Sequence, residues 1–327
     1  MVRPSMKAEA AENKNVILSN VLINDLSEKN QRSTSWKSIF KLIRVKHWVK
    51  NLFLFIPSFF AGHLFNSHEL LQVLIGAFAF SLVASGVYII NDYRDREVDK
   101  LHPRKKLRPL ASGEVKTSAA WALMILLITS GLFIAASLNI VFFYLVVGYL
   151  ALNLAYSFGL KHIPILDLFI VALGFLIRIY SGGVIAGLAI THWLSLMVLL
   201  LALFLILAKR RDDLLINGKN KNGHVIRKSA QKYNLVYINS CVTLLSAVMV
   251  VAYIMYTVSP EVTERFKSDY LFATTIFVIA GIMRYLQIVF VEKNSGSPTN
   301  IFIKDKFILA TIAGWILSFY FIIYASN

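Results

Sequence analysis

Cysteine, charge and acidic residues are all scarce in this sequence. The chain has one cysteine, Cys241, so no intramolecular disulfide is possible and the redox state of its compartment is left open. Charged residues make up 16% of the 327 residues, whereas soluble globular domains average about 25%. Acidic residues number 18 against 34 basic ones, which gives a formal net charge of +16. The shortage of charge argues against an ordinary soluble domain.

Long apolar runs occupy most of the sequence. Hydrophobic residues make up 57% of the chain, and the mean hydropathy is +0.63. A helix needs about 20 apolar residues to cross a hydrocarbon core about 30 Å thick. Nine runs approach this length, at 48–64, 70–90, 117–137, 139–157, 164–186, 191–208, 233–258, 270–291 and 307–324. The sequence therefore predicts an all-α, polytopic membrane protein with nine transmembrane helices.

Residues 1–35 differ from the rest of the chain. They are polar and poor in aromatic residues, and their apolar patch at 16–23 is interrupted by Ser19 and Asn20. That patch is too weak for the core of a cleaved signal peptide. We expect a disordered cytosolic tail over 1–35 and a single membrane domain over 36–327.

Basic residues are concentrated in alternate loops. Of the 34 Lys and Arg residues, 30 lie in segment 1–50 and in the loops after the second, fourth, sixth and eighth runs. Basic loops favour the cytoplasmic side of a membrane. The N-terminus is therefore predicted in the cytoplasm and the C-terminus outside.

Three aspartates follow the second apolar run. If that helix continues to residue 99, then Asp92, Asp95 and Asp99 fall within about 60° of one another on one helical face. Carboxylates aligned in this way, with the amide of Asn91 beside them, suit a hard divalent cation. The pattern predicts a Mg²⁺ site, with Mn²⁺ as the alternative, and gives the three aspartates a catalytic role as metal ligands.

A basic segment comes directly after the aspartates. Arginines bind phosphate oxygens in pairs of hydrogen bonds, so Arg104 and Arg108 are the preferred phosphate ligands there. A metal neutralises charge on a departing diphosphate, and cations stabilise its remaining oxygens. The loop 91–116 is therefore predicted to bind a diphosphate. The seven histidines lack metal-ligand spacing, which argues against zinc.

The string NDYRDREVDKLHPRKKLRPLASG at 91–113 resembles the first aspartate-rich motif of the UbiA superfamily of intramembrane transferases. That motif reads NDxxDxxxD and is followed by a basic loop that ends in RPxxSG. The resemblance implies nine helices around a central cavity that opens to the cytoplasm. Most members use a polyprenyl diphosphate donor and carry a second motif, DxxYAxxDxxxD, in the sixth loop. Here residues 203–214 read LFLILAKRRDDL, which departs from that motif.

One branch of the superfamily, the polyprenyl-phosphate phosphoribosyltransferases, is similar to this chain in three further segments. These are RVKHWVKN at 44–51, with Val45 in place of a proline; YSFGLKHIPILD at 156–167 with GFLIR at 174–178; and the basic KRR at 209–211. The resemblance implies phosphoribosyl diphosphate as donor and a polyprenyl (decaprenyl-type) phosphate as acceptor. It also implies the substrate-binding residues Arg44, Lys50, Asn51, Tyr156, Lys161, Lys209 and Arg210.

Asp167 and Arg178 lie inside one apolar run. They are close to one helical face, three turns apart, and intramembrane charges usually face a bundle interior. We interpret Asp167 as a catalytic group near the ribose and Arg178 as a phosphate ligand, with structural polar groups as the alternative. Arg284, in another run, has no acidic partner in its segment before Glu292 and stays outside the site.

Other functions compete with phosphoribosyl transfer. A prenyltransferase with an aromatic or other small acceptor is the main alternative. A transporter of phosphorylated anions explains the helices and the basic loops, but it has no need of three aligned aspartates. A CDP-alcohol phosphotransferase would carry a DGxxAR signature, which is missing. We expect membrane lipids but no nucleic acid as partners, leave a homo-oligomer open, and place the protein in a bacterial plasma membrane.

Overall fold

The computed structural model describes residues 36–63, 66–101, 105–219, 233–292, 301 and 304–322. The predicted tail at 1–35 and Arg104 lie outside these residues. Every regular element of the described chain is helical, which confirms the predicted all-α class.

Twelve α-helices are described, linked by short turns. They are α1 (Trp36–Ile43), α2 (Ile56–Phe60), α3 (Ser67–Arg94), α4 (Arg96–Lys100), α5 (Thr117–Leu138), α6 (Ile140–Phe158), α7 (Leu166–Ala186), α8 (His192–Lys219), α9 (Leu235–Val258), α10 (Pro260–Phe266), α11 (Thr275–Phe290) and α12 (Lys306–Tyr320). A 3₁₀ helix, Val45–Phe55, joins α1 to α2, and shorter 3₁₀ turns lie at Lys105–Leu107, Leu160–His162 and Tyr270–Thr274.

Seven of the nine predicted transmembrane segments are long and apolar enough to cross a membrane. They are α3, α5, α6, α7, α8, α9, and the 3₁₀ turn that continues into α11. The count of nine is not confirmed. The first predicted segment forms the 3₁₀ helix Val45–Phe55 and the short α2, and the last forms α12, whose 15 residues span about 22 Å.

Several of the long helices begin at a side chain that accepts backbone N–H groups. Asn66 accepts from two amides at the start of α3, and Asn139 does the same at the start of α6. Asn234 and Asp305 cap α9 and α12 in the same way. Because the first N–H groups of a helix have no partner within it, these caps set where each helix begins.

The helices α3 and α7 are the most deeply buried of the seven spans. α3 packs against α5, α6 and α7, and α7 packs in turn against α8. One apolar cluster joins Phe80 and Val83 of α3 to Ile185 of α7, and a second joins Leu168 of α7 to Phe204 of α8. The interior of the bundle is thus formed by the two helices that carry Asp92, Asp167 and Arg178.

A close contact fixes the 3₁₀ helix Val45–Phe55 against α7. The carbonyl oxygen of Leu54 lies so near Gly182 that a Cβ atom at that position would be 1.9 Å away. Only a residue without a side chain fits there. Leu54 itself is fully buried. This contact places Asn51, one turn earlier in the 3₁₀ helix, beside Arg178 of α7.

The outer faces of α5 and α6 are apolar and exposed. Phe133 and Leu126 of α5 and Tyr144 of α6 are each more than half exposed. Large apolar surfaces of this kind suit lipid rather than water. Together with the seven apolar spans, they make the chain an integral membrane protein.

Arg284 joins α11 to α12. Its guanidinium donates to Asp305 at 2.8 Å, to Glu292 at 2.7 Å and to Gln287 at 2.8 Å. Asp305 is the N-cap of α12, so the arginine ties the start of that helix to α11. Arg284, Gln287 and Asp305 also line a cavity of about 970 Å³ between the two helices. The charge that the sequence left unexplained therefore has a structural role.

Candidate active site

The aspartate motif spans the break between α3 and α4. α3 ends at Arg94, and Asp95 separates it from α4 with φ −87° and ψ 0°. The helical hydrogen bonds continue through the break, because the Asp95 amide donates to the Asn91 carbonyl at 2.9 Å and the Asp99 amide to the Asp95 carbonyl at 2.8 Å. The predicted helical path to residue 99 is thus retained with a local distortion.

Asp92 and Asp99 share one guanidinium. Arg108 Nη1 lies 3.1 Å from Asp92 Oδ1 and 2.5 Å from Asp99 Oδ2. Both carboxylates are 2% exposed. Arg44 also donates to Asp92, and its guanidinium lies over the ring of Tyr88, 5.0 Å from the ring centroid. The two buried carboxylates therefore converge on one point and are held there by arginines.

Asp95 faces another partner. Its Oδ1 lies 2.5 Å from Nζ of Lys161, which belongs to the turn after α6. Beside it, Ser157 of α6 donates to the side-chain oxygen of Asn91. Tyr156, the predicted substrate ligand, precedes Ser157 and is half-buried. These contacts attach the aspartate motif to the end of α6.

The pair Asp92 and Asp99 has the chemistry of a cation site. Their oxygens contact the same positively charged nitrogen, so they are close enough to bind one cation together. Carboxylate oxygens are also the ligands that Mg²⁺ prefers. Within the described residues, no group of three Asp, Glu, His or Cys side chains is arranged to hold a metal. The predicted alignment of three carboxylates is thus found for two of them.

Arg178 lies at the centre of a buried polar network. Its Nε donates to Asn51 Oδ1 at 2.8 Å, and its Nη2 donates to the hydroxyl of Tyr149 at 3.1 Å. Asn51 in turn donates to Ser81 at 2.7 Å. Lys50 is within electrostatic range of both Arg178 and Arg44. The predicted residues Lys50, Asn51 and Arg178 therefore lie together.

Asp167 is fully buried at the start of α7 and is held by both sides of the sixth loop. Arg210, in the C-terminal half of α8, is 2.5 Å from its Oδ2. Tyr233, just before α9, donates to its Oδ1 at 3.1 Å. The Tyr233 hydroxyl also accepts the amide of Ile165, at 2.5 Å. Ile165 has a φ of +68°, which β-branched residues rarely adopt, so this amide contact stabilises a strained turn.

Asp167 and Arg178 have different partners although they lie on one helix. Asp167 contacts α8 and Tyr233, whereas Arg178 contacts the 3₁₀ helix and α6. Each has hydrogen-bond partners in neighbouring elements. This arrangement also fits the alternative in which Asp167 and Arg178 are structural polar groups.

His47 marks the point where the basic segments meet. Its ring lies 5.4 Å from that of Tyr88 on α3. The pKa of His47 is lowered from 6.5 to about 4, first by loss of solvation and then by the positive charges of Lys50, Arg44, Lys209 and Arg108. These cations come from residues 44–50, the loop 91–116 and the C-terminal half of α8. An anion bound among them would meet strong positive potential.

Comparison with known proteins identifies the family. The sequence profile described as the UbiA prenyltransferase family matches residues 52–233. The chain belongs to the UbiA prenyltransferase family. It is a transferase, and the matched residues include the aspartate motif at 91–113. The decaprenyl-phosphate phosphoribosyltransferase of Corynebacterium glutamicum is 30% identical over 292 residues, which cover 88% of this chain and 86% of that protein. The enzyme of the same name from Mycolicibacterium smegmatis is 34% identical, with 85% and 90% covered.

Solved UbiA structures share this fold. A UbiA homolog from Archaeoglobus fulgidus, bound to GPP and Mg²⁺, superposes with a TM-score of 0.65 at 21% identity, covering 88% of this chain and 99% of that one. The same homolog bound to Cd²⁺ superposes with a TM-score of 0.63 at 20% identity, over 88% and 99%. These likenesses confirm the UbiA-like fold that the motif implied.

Four residues of the candidate site escaped the sequence analysis. They are Tyr88, Tyr149, Ser157 and Tyr233, which contact Arg44, Arg178, Asn91 and Asp167 respectively. Ser157 follows Tyr156 in the segment YSFGLKHIPILD, so the sequence similarity of that segment could have indicated it. The other three touch the site through helix packing, which no spacing in the sequence reveals.

Proposed function

We propose that this UbiA-family protein transfers 5-phosphoribose from phosphoribosyl diphosphate to a polyprenyl phosphate of the decaprenyl type, with Mg²⁺ and with release of diphosphate. The observation that carries the proposal is the replacement of the family's second acidic motif by buried cations. Arg210 and Arg211 are 7% and 6% exposed at that place. Relatives named as decaprenyl-phosphate phosphoribosyltransferases, alignable over most of their length, support the same donor and acceptor.

The metal belongs to the aspartate motif. Asp92 and Asp99 would hold a Mg²⁺ or Mn²⁺ ion, since they already share one cation, and Asp95 completes the motif beside Lys161. When bound, the ion would neutralise negative charge on the departing diphosphate. Asn91, oriented by Ser157, offers an amide to the same region.

Phosphate recognition falls to the surrounding cations. Arg44, Lys161 and Arg108 adjoin the aspartates and would bind the diphosphate of the donor. Lys50, Asn51 and Arg178 form the neighbouring network, and Lys209 and Arg210 lie in the C-terminal half of α8. Two phosphorylated substrates need more positive charge than one, and the excess of cations over carboxylates fits that need.

Asp167 would stabilise the reacting sugar. Departure of diphosphate leaves positive charge on C1 of the ribose, and a buried carboxylate held by Arg210 and Tyr233 has a fixed place from which to stabilise it. An oxygen of the acceptor phosphate bonds to C1 as the bond from C1 to the diphosphate oxygen breaks. Since a phosphate monoester has a second pKa of about 6, the acceptor is already anionic and needs no general base.

An assay with purified protein tests the proposal. The protein in detergent is mixed with Mg²⁺, labelled phosphoribosyl diphosphate and a polyprenyl phosphate, and label is measured in the lipid extract. We expect lipid-extractable label that depends on both the polyprenyl phosphate and the metal. A parallel reaction contains a labelled prenyl diphosphate and an aromatic acceptor. Turnover of that mixture alone would replace our proposal with prenyl transfer.

We also propose that the basic end of the bundle, with the N-terminus and the site, faces the cytoplasm of a bacterium, and that the C-terminus lies outside. The support is the concentration of Lys and Arg in alternate loops. Since Cys241 is the single cysteine, a Cys241→Ser background allows cysteines to be placed one at a time. A cysteine at Lys116 should be shielded from an impermeant thiol reagent in intact cells, and one at Lys267 should react. The reverse pattern would invert the topology.

A further inference from the structure

Arg108 occupies the place where the proposed metal would bind. One of its nitrogens contacts both Asp92 and Asp99, at 3.1 and 2.5 Å. A guanidinium carries one positive charge and a divalent metal carries two, but both need the same carboxylate oxygens. Arg108 therefore competes with the metal ion for these carboxylate oxygens.

The two carboxylates have little access to other partners. Both are 2% exposed, so water compensates their charge poorly. Removing Arg108 from between them without a replacement would leave buried charges facing each other. A metal ion that displaces the arginine neutralises the two carboxylates, but it leaves the guanidinium without its two hydrogen-bond acceptors.

A diphosphate completes the exchange. Guanidinium binds phosphate oxygens as readily as carboxylate oxygens, and the metal binds both carboxylate and phosphate. A metal ion that arrives with diphosphate takes over Asp92 and Asp99 and supplies new acceptors for Arg108. A metal ion alone lacks those acceptors, and a diphosphate alone finds Arg108 already paired.

We propose that Arg108 makes the site selective for a metal–diphosphate complex over the free metal ion and over metal-free diphosphate. The inference rests on the proposed function only in that a diphosphate is a substrate. It holds equally if the donor is a prenyl diphosphate.

Arg108 is better suited to this exchange than Arg44. The guanidinium of Arg44 lies over the ring of Tyr88 and is attached to the 3₁₀ segment, which packs on α7. The side chain of Arg108 donates instead to Asp92 and Asp99. Its side chain is also 27% exposed, which leaves room for it to turn towards an incoming ligand.

Binding measurements on the full-length protein in detergent test the proposal without any turnover. The probes are Mn²⁺ alone, followed by electron paramagnetic resonance, and inorganic pyrophosphate in buffer containing EDTA, followed by calorimetry. Arg108→Gln removes the competitor, so we expect Mn²⁺ to bind about tenfold more tightly than to wild type. We expect metal-free pyrophosphate to bind more weakly to the same variant.

Asp99→Asn gives the reciprocal result. It removes one acceptor of Arg108 and one metal ligand, so we expect weaker Mn²⁺ binding and tighter binding of metal-free pyrophosphate. A variant that simply misfolds would lose both ligands, whereas each of these variants should gain one and lose the other.

Two neighbouring variants control for charge. Arg96→Gln and Glu97→Gln change the net charge by the same amounts close by, but their side chains pair with each other instead of the two aspartates. Both should bind each probe within about threefold of wild type. The proposal is overturned if Arg108→Gln binds Mn²⁺ no more than about threefold more tightly than Arg96→Gln does. Neither probe is the donor substrate or the acceptor substrate of the proposed reaction. That outcome can therefore be distinguished from a failure of phosphoribosyl transfer.

Discussion

Lys161 pairs with Asp95, whereas Asp92 and Asp99 share Arg108. Its Nζ is 2.5 Å from Asp95 Oδ1, across 66 residues of sequence, and it joins the turn after α6 to the break between α3 and α4. The aspartate motif therefore consists of a buried pair, Asp92 and Asp99, and a third carboxylate, Asp95, that pairs with Lys161. Lys161 is thereby placed where a diphosphate would meet it.

Lys161→Gln should lower the rate of transfer by about tenfold, because one cation that would contact the diphosphate is lost. The measurement is kcat/KM for the donor in the lipid-extraction assay. Lys116→Gln removes an exposed lysine at the start of α5, at the same end of the bundle, and should leave that constant unchanged. Equal losses in the two variants would mean that general charge, rather than the contact with Asp95, sets the rate.

Asp92→Asn should reduce transfer by about 100-fold or more, since it removes a metal ligand while keeping the shape of the side chain. The yield of folded protein should stay close to that of wild type. The activity is measured across a Mg²⁺ titration, with Glu97→Gln as the control on an exposed carboxylate. If the Asp92 variant turned over normally at limiting Mg²⁺, the assignment of the metal would be wrong.

Gly182→Ala should destabilise the protein by about 1–3 kcal/mol, the usual range for overpacking. A Cβ at this position would lie 1.9 Å from the carbonyl oxygen of Leu54, so the 3₁₀ helix has to move. The apparent Tm in detergent provides the measurement. Gly148→Ala is the matched control, because its Cβ would meet nothing within 4 Å, and its Tm should be unchanged or higher. Equal Tm values for the two variants would contradict the close contact.

The thermal stability should depend on pH through His47. Its pKa is lowered from 6.5 to about 4 in the folded protein, so between these values the unfolded chain binds a proton that the folded chain does not. Stability from this group is complete above pH 6.5 and is lost as the pH falls towards 4. The apparent Tm of wild type should therefore fall more over this interval than that of His47→Gln.

His63→Gln is the control for that experiment. It removes an imidazole just before α3, at the opposite end of that helix from Asp92. Its Tm should follow the wild-type curve. Parallel curves for wild type and His47→Gln would show that His47 is not held neutral.

The sequence predicts what lies within one stretch of chain. The shared face of Asp92 and Asp99 falls within residues 91–113, where helical spacing determines the geometry. Seven of the nine transmembrane segments follow from hydropathy, because the apolar runs match helices of sufficient length. The other two are not confirmed, and the reason is physical. Hydropathy does not distinguish a 3₁₀ helix or a short helix from a full transmembrane span.

Contacts between distant segments could not be predicted. Tyr233 meets Asp167 across 66 residues, and Arg178 meets Asn51 across 127. These distances depend on how α7 packs against its neighbours, including the absence of a side chain at Gly182. The diversion of Asp95 to Lys161 has the same origin, since helical periodicity alone places all three aspartates together.

The two contacts of Asp167 bear on how the sixth loop can vary. Arg210 and Tyr233 bind the two oxygens of one carboxylate, so the ends of the chain between them are brought to a single point. The entropy cost of closing such a loop grows only with the logarithm of its length, by about 0.6 kcal/mol for each doubling. Insertions after Lys219, where α8 ends, and before Tyr233 should therefore leave the position of Asp167 intact, and this is where an epitope or a fluorescent probe can be placed.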